Sequence, residues 1–236
     1  MIPKLTPLWE PFEACAQKTL EKLERVAVPV RFPVGAAITT ADEAAEGLTL
    51  FFEGVLRVFH AQSADCQFTV KLLRAPAAIG VLEVLRRTPW VACVEALTPV
   101  EGLFLPASAV REALAEDFGF TAAVLGDLAT SFMGTIRANR AVAFDGCEQR
   151  LIRVLLEYAE HFGREAEEGL VIRYPLSRQR LSLEIGAARR SVDRALAALT
   201  AEKLLSLSPK GWQVLRAPDV LRARVRPRGG TRTCED

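Results

Sequence analysis

Apolar positions along this chain change their period several times, and each change marks a different kind of element. From about Pro7 to Val26, Phe12, Cys15, Leu20 and Leu23 recur at near-helical spacing. From Val28 to about Leu105 the pattern shortens. The runs Val28–Phe32, Leu48–Phe52, Val55–His60, Phe68–Leu72, Val91–Ala96 and Val100–Leu105 are rich in β-branched and aromatic residues. Turn residues such as Pro33-Val34-Gly35 and Glu53-Gly54 separate them. Short strands at this interval predict a β-sandwich or roll. Beyond Pro106 the strand signals stop. Ser108 is placed to cap a short helix, Ala109–Glu116, and a long helical run opens near Phe118. Within that run Leu125, Leu128, Phe132 and Ile136 make a stripe at spacings of three and four. Such a seam can bury itself against a neighbouring domain or an identical helix. Asp145-Gly146-Cys147-Glu148 then reads as a capping box with an acidic cap and Glu three residues on. It opens a helix with Leu151, Ile152, Leu155, Leu156 and Ala159 inside, ending near His161-Phe162-Gly163.

Between Leu176 and Leu207 the pattern predicts two short amphipathic helices joined by a tight turn at Gly186, where glycine takes positive φ without steric cost. In the second helix Val192, Leu196 and Leu199 share one face and hold it against a core. Arg189, Arg190 and Arg194 are thereby aimed outward, where long basic side chains reach base edges and phosphates. The arrangement reads as a helix-turn-helix whose second helix docks in a DNA major groove. Leu204–Leu207 and Trp212–Leu215 are brief strands joined by Ser208-Pro209-Lys210-Gly211, a hairpin suited to a wing. The Arg- and Gly-rich stretch beyond Pro218 is expected to fray.

Charge sharpens this division. The chain has 236 residues and a net charge of +1, but residues 171–233 alone carry +10 and the preceding 170 carry −7. A basic segment beside an acidic one assigns the basic part to nucleic acid. The five cysteines, Cys15, Cys66, Cys93, Cys147 and Cys234, show no C-x-x-C pair, which fits free thiols in a reducing cytoplasm. The opening residues lack a signal-peptide pattern, and no window approaches about eighteen consecutive apolar residues, so no membrane partner is expected.

The order of roll, long helix, linking helix and winged helix-turn-helix resembles the CRP/FNR superfamily of bacterial transcription factors, over roughly Phe12 to Leu215. Ser177-Arg178-Gln179, Leu181, Ile185-Gly186 and Arg189-Arg190-Ser191-Val192-Asp193-Arg194 look like its DNA-binding signature. Leu50-Phe51-Phe52-Glu53-Gly54-Val55-Leu56-Arg57-Val58 looks like the strand–Gly–strand step of its sensor roll. The resemblance implies an α+β protein: an N-terminal double-stranded β-helix (β-roll) over 1–117, a dimerisation helix over 118–144, and a winged helix-turn-helix over 145–218, with a basic tail over 219–236. It further implies a homodimer on a near-palindromic operator, with RNA polymerase as a further partner. Arg189, Arg190, Asp193 and Arg194 would contact bases. Ser177, Arg178, Gln179, Ser191 and Lys210 would hold phosphates. Leu125, Leu128, Phe132 and Ile136 would form the dimer seam.

Three departures from the family pattern stand out. Many relatives carry Glu where this chain has Arg190, so a preference for cytosine amino groups is not inherited. Ala187-Ala188 removes the usual Ser/Thr cap of the recognition helix, at a cost of about 1 kcal/mol of local stability. In the sensor roll, Val81 follows Gly80 where cyclic-nucleotide binders have Glu, and Trp90-Val91 occupy the slots of the Arg-Ser pair that neutralises the cyclic phosphate. Glu83, one turn on, would repel a phosphate unless it points elsewhere. A buried phosphate would lack its charge partner, so conventional cyclic-AMP binding is not expected.

Four thiolates for an iron–sulfur cluster are not at hand, since Cys15 alone lies near the N-terminus. Haem would call on His60 or Cys66, and Trp90 with Cys93 would be the place for a ligand or thiol switch; core packing is the simpler reading of both. No G-x-S-x-G, H-E-x-x-H, G-x-x-x-x-G-K or G-x-G-x-x-G occurs, so catalytic residues, a metal site and a resident cofactor are not expected, and the effector is unassigned. Two alternatives stay open: a ligand- or haem-responsive sensor using the altered roll, or a regulator acting through a protein partner without DNA.

Overall fold

The computed structural model describes residues 4–63, 66–208 and 211–225, with the side chains of 137–144 excepted. The chain divides into two compact units, residues 1–140 and 141–236.

The first unit opens with 3₁₀ turns at Thr6–Leu8 and Glu10–Ala14, followed by α1 (Gln17–Val26), so the single helix expected from Pro7 is broken. Pro7 and Pro11 sit at the starts of these turns, and Trp9 and Cys15 are extended between them. Eight strands follow: β1 (Val28–Phe32), β2 (Ala37–Thr39), β3 (Gly47–Glu53), β4 (Val55–Ser63), β5 (Cys66–Arg74), β6 (Ala77–Ile79), β7 (Cys93–Ala96) and β8 (Val100–Pro106), with α2 (Val81–Arg86) between β6 and β7. They form two antiparallel four-stranded sheets, β1-β8-β3-β6 and β2-β7-β4-β5. The short β2 and β6 are absent from the sequence reading, because three residues offer too little alternation to register.

Alternation along the strands decides what each sheet buries. Phe51, Leu56, Ile79, Val94, Ala96 and Val100, drawn from both sheets, make one core cluster. On β3 and β8, Leu48, Leu50, Leu103 and Leu105 join a second cluster with the N-terminal segment, α1, α3 (Ala107–Glu116) and the start of α4 (Phe118–Phe144). Here Phe12 stacks on Phe120 at 5.3 Å, and Trp9 meets both rings edge-on. Pro106 rather than Ser108 precedes α3, which starts two residues earlier than expected and has no side-chain cap. Asp117 begins α4: its carboxylate accepts from the Phe120 N–H at 3.0 Å and reaches back to the Ala16 N–H at 2.7 Å. These bonds hold its carboxyl below the ordinary carboxylate range.

The second unit contains α5 (Cys147–Phe162), β9 (Gly163–Ala166), β10 (Gly169–Ile172), α6 (Arg178–Ile185), α7 (Arg189–Ala201), β11 (Leu205–Leu207), β12 (Gln213–Leu215) and α8 (Pro218–Val225). The strands form one antiparallel sheet, β11-β12-β10-β9, so the wing hairpin is the continuation of a sheet begun before the helix pair. Two expectations need correction. Gly146, not Asp145, caps α5, with the Gln149 Oε1 accepting its N–H at 3.0 Å; Asp145 instead pairs with Arg153 at 2.5 Å. Beyond Pro218 the chain forms α8 rather than fraying as far as Val225, because Leu221 and Val225 are buried and Arg224 pairs with Glu148 and Glu202.

Candidate nucleic-acid interface

The basic face is assembled from short-range chemistry. Ser177 caps α6, its Oγ accepting the Arg180 N–H at 3.0 Å. Gly186 ends that helix in the left-handed region, at φ 57°, as the turn requires. The turn is closed by the Ala187 N–H on the Ser182 carbonyl at 3.1 Å and by the Ser182 hydroxyl on the Ala187 carbonyl at 2.6 Å. That second role of Ser182 escaped the sequence reading, although a Ser near a helix end beside Gly is a recurrent backbone partner. The Arg150 guanidinium donates to the Ile185 carbonyl at 3.0 Å, tying α5 to the same turn. Ala188 starts α7 with no side-chain cap, as Ala187-Ala188 predicted.

The face of α7 turned to the core is Val192, Ala195 and Leu199; Leu196, expected among them, is only half-buried. Spacings of three and four around Val192 place Ala195 and Leu199 nearer the middle of the buried stripe than Leu196. Arg189, Arg190 and Arg194 are exposed, and Ser191 and Asp193 are half-buried. Arg189 and Arg190 make no ion pair among the described residues. Arg194 donates weakly to the Ser191 Oγ at 3.4 Å, and Arg178 on α6 stands 3.3 Å from Asp193. Ser177, Arg178 and Gln179 are exposed at the start of α6. One structure thus presents eight of the nine expected DNA-facing residues on α6 and α7; the ninth, Lys210, lies outside the described residues.

Arg180, on the same helix, has a different environment. Its Nε donates to the buried Glu184 at 2.5 Å, and the Tyr158 hydroxyl donates to the same oxygen at 2.8 Å. Burial and the adjacent carboxylate push the Tyr158 phenol well above its ordinary range. This network fixes α6 on α5 and separates a structural arginine from the surface ones.

In the other unit, the expected effector-pocket residues lie at α2 and on the segment that follows it. The Trp90 side chain packs with the inter-sheet cluster, and a Cβ on Gly80 would stand 3.0 Å from its ring. Gly80 itself adopts φ 98°, a conformation for which glycine is suited. Val81 begins α2 and Val91 is exposed. Glu83 turns towards Val91, its Oε1 accepting from the Val91 N–H at 3.4 Å. His60 and Cys66 are both exposed, and no cluster of three or more metal-ligating side chains occurs among the described residues. On α4, Leu125, Phe132 and Ile136 are more than half exposed, but Leu128 packs partly on the unit's own core. The stretch Phe118–Ile136 is also long and apolar enough to cross a membrane by length and composition.

Residues 149–224 match the family model of the Crp-like helix-turn-helix domain, and residues 29–117 that of the cyclic nucleotide-binding domain. The chain is 29% identical over 168 residues to the global nitrogen regulator of Nostoc sp., covering 70% of this chain and 75% of that protein. Among solved structures, a CRP/FNR-family transcriptional regulator from Eubacterium rectale has a TM-score of 0.77 at 15% identity, covering 94% of this chain and all of that one (100%). The c-di-GMP-responsive global regulator of Xanthomonas campestris has a TM-score of 0.71 at 19% identity, covering 85% and 99%. With both domains matched in this order on this fold, the chain belongs to the CRP/FNR family of transcription regulators, and its helix-turn-helix is a DNA-binding domain.

Proposed function

We propose that this protein is a homodimeric, sequence-specific regulator that reads a near-palindromic operator through α7, without conventional control by cyclic AMP. The observation that carries the reading is the exposure of Arg189 and Arg190, without ion-pair partners among the described residues, on a helix anchored by the buried Val192 and Leu199. A rigid helix with free guanidinium groups suits bidentate recognition of guanine, while Ser177, Arg178, Gln179 and Ser191 suit phosphates. Dimerisation is supported by Leu125, Phe132 and Ile136, which return to one face of α4 and stay exposed in the single chain. Two copies of the helix would bury that face and set two recognition helices about one turn of DNA apart. The apolar run in α4 is read as this seam rather than a membrane span, and the expected setting is cytoplasmic.

Independence from cyclic AMP is supported by the sequence resemblance, which aligns Trp90 with the family's phosphate-neutralising arginine and Val81 with its acid. The test is selection of duplexes from a random pool by the purified full chain, followed by binding assays with the best duplex, with and without cyclic AMP. A symmetric motif whose binding weakens steeply with salt is the expected result. No enrichment over the input pool would favour a regulator acting through a protein partner, and cyclic-AMP-dependent binding would remove the last part of the reading.

A further inference from the structure

The first unit contains a groove of about 590 Å³ whose lining includes Glu83, Arg87, Thr88, Ser108 and Arg111. It lies between the 44–46 loop, the C-terminal end of α2 and the first turn of α3. Its size is within the range of small-molecule sites. Three charged side chains give it a chemical character. Glu83 is 6% exposed, and among the described residues its carboxylate takes the long 3.4 Å bond from Val91 and no ion pair. A buried carboxylate is stable only when donors satisfy it, so this one has room for another. Arg87 and Arg111 line the same groove, also without an ion pair among the described residues. Arg87 is held in the left-handed region, at φ 55°, where glycine would sit without strain.

The two guanidinium groups argue against a metal cation, and the single acid argues against a bare oxyanion. We propose that this groove binds a small amphoteric metabolite, whose carboxylate or phosphate is held by Arg87 and Arg111 and whose N–H group donates to Glu83. Ser108, at the uncapped start of α3, and Thr88 supply hydroxyls at the rim. Trp90, which packs against the inter-sheet cluster, does not line this groove. It rests on the regulator reading only in that the ligand would then be an effector.

The experiment titrates the full chain, without DNA, by calorimetry with three sets of probes: the free proteinogenic amino acids, the nucleoside 5′-monophosphates, and inorganic phosphate alone. The expected result is saturable one-to-one binding by a member of one of the first two sets, and weaker binding of phosphate. Arg111→Gln should lower that affinity about tenfold, as loss of one charge-assisted hydrogen bond does. Glu83→Gln should lower it for the amine-bearing probe while leaving phosphate unchanged; thermal melts of both variants check that they fold. No binding in either organic set, phosphate binding as tightly as the best probe, or affinity indifferent to Arg111→Gln would each overturn the proposal. Because DNA is absent, failure here leaves operator binding to its own test.

Discussion

Arg178 and Asp193 stand 3.3 Å apart, joining the first helix of the helix-turn-helix to the second across a partly exposed surface. One is expected at a phosphate and the other at a base edge, so in the free protein two groups proposed to meet DNA pair with each other. An exposed pair of this kind contributes only about 0.2–1 kcal/mol to stability. DNA phosphate can therefore compete for the guanidinium.

Asp193→Ala should leave stability within about 1 kcal/mol of the parent and strengthen binding to scrambled duplexes, narrowing the gap to the preferred site. Arg178→Ala should weaken all duplexes alike and reduce the salt slope by about one, whereas Arg189→Ala should relax one base position by about 1–3 kcal/mol. Fluorescence anisotropy across a salt series separates these three patterns.

Phe132 is 65% exposed on α4, on the same face as Leu125 and Ile136. Phe132→Glu would place two like charges in a twofold seam, so sedimentation should show a monomer and operator affinity should fall by more than tenfold. The far-UV spectrum should not change, because the side chain is outside the unit's own core. A variant that remains dimeric would move the seam elsewhere.

Asp117 accepts hydrogen bonds from Ala16 and Phe120, and its folded carboxyl titrates below its unfolded counterpart. Its stabilisation is complete above the unfolded pKa, about 4, and fades as pH falls through the lower folded value. Asp117→Ala should cost about 1–2 kcal/mol at pH 7, as loss of a helix cap does, and the difference in melting temperature should close in strong acid. Thermal melts from neutral to acid pH follow both.

Cys15 is buried beside Asp117, its Sγ 3.6 Å from the carboxylate, and burial, reinforced by that charge, pushes the thiol up to about 12. Cys66 is exposed. In the native protein at pH 8, iodoacetamide should label Cys66 and spare Cys15, because the thiolate is the nucleophile. Peptide mass spectrometry after timed quenching reads the order, and early labelling of Cys15 would contradict the packing around Asp117.

Much of the architecture can be read without coordinates, and the reason is periodicity. Six apolar runs separated by turn residues mark the roll, and Gly186 between two amphipathic segments marks the helix-turn-helix, because both signals are local. Elements without such signals are missed. β2 and β6 are too short to alternate, and β9 and β10 hide in a charged stretch where Arg164, Glu165 and Glu168 mask the pattern. The capping of α5 turns on whether Asp145 reaches its own helix end or Arg153, a choice between two acceptable partners.

By itself the sequence determined the succession of roll, long helix and helix-turn-helix, the basic character of the C-terminal third and the residue types facing outward on α7, since these follow from spacing and charge alone. Only the tertiary structure decided that Arg180 belongs to a buried Glu184–Tyr158 network while Arg178 stays at the surface. It alone decided that Trp90 packs against the inter-sheet cluster and that Glu83, Arg87 and Arg111 share a groove. Those outcomes depend on which distant side chains meet, and long-range packing selects among partners that a local pattern leaves equivalent.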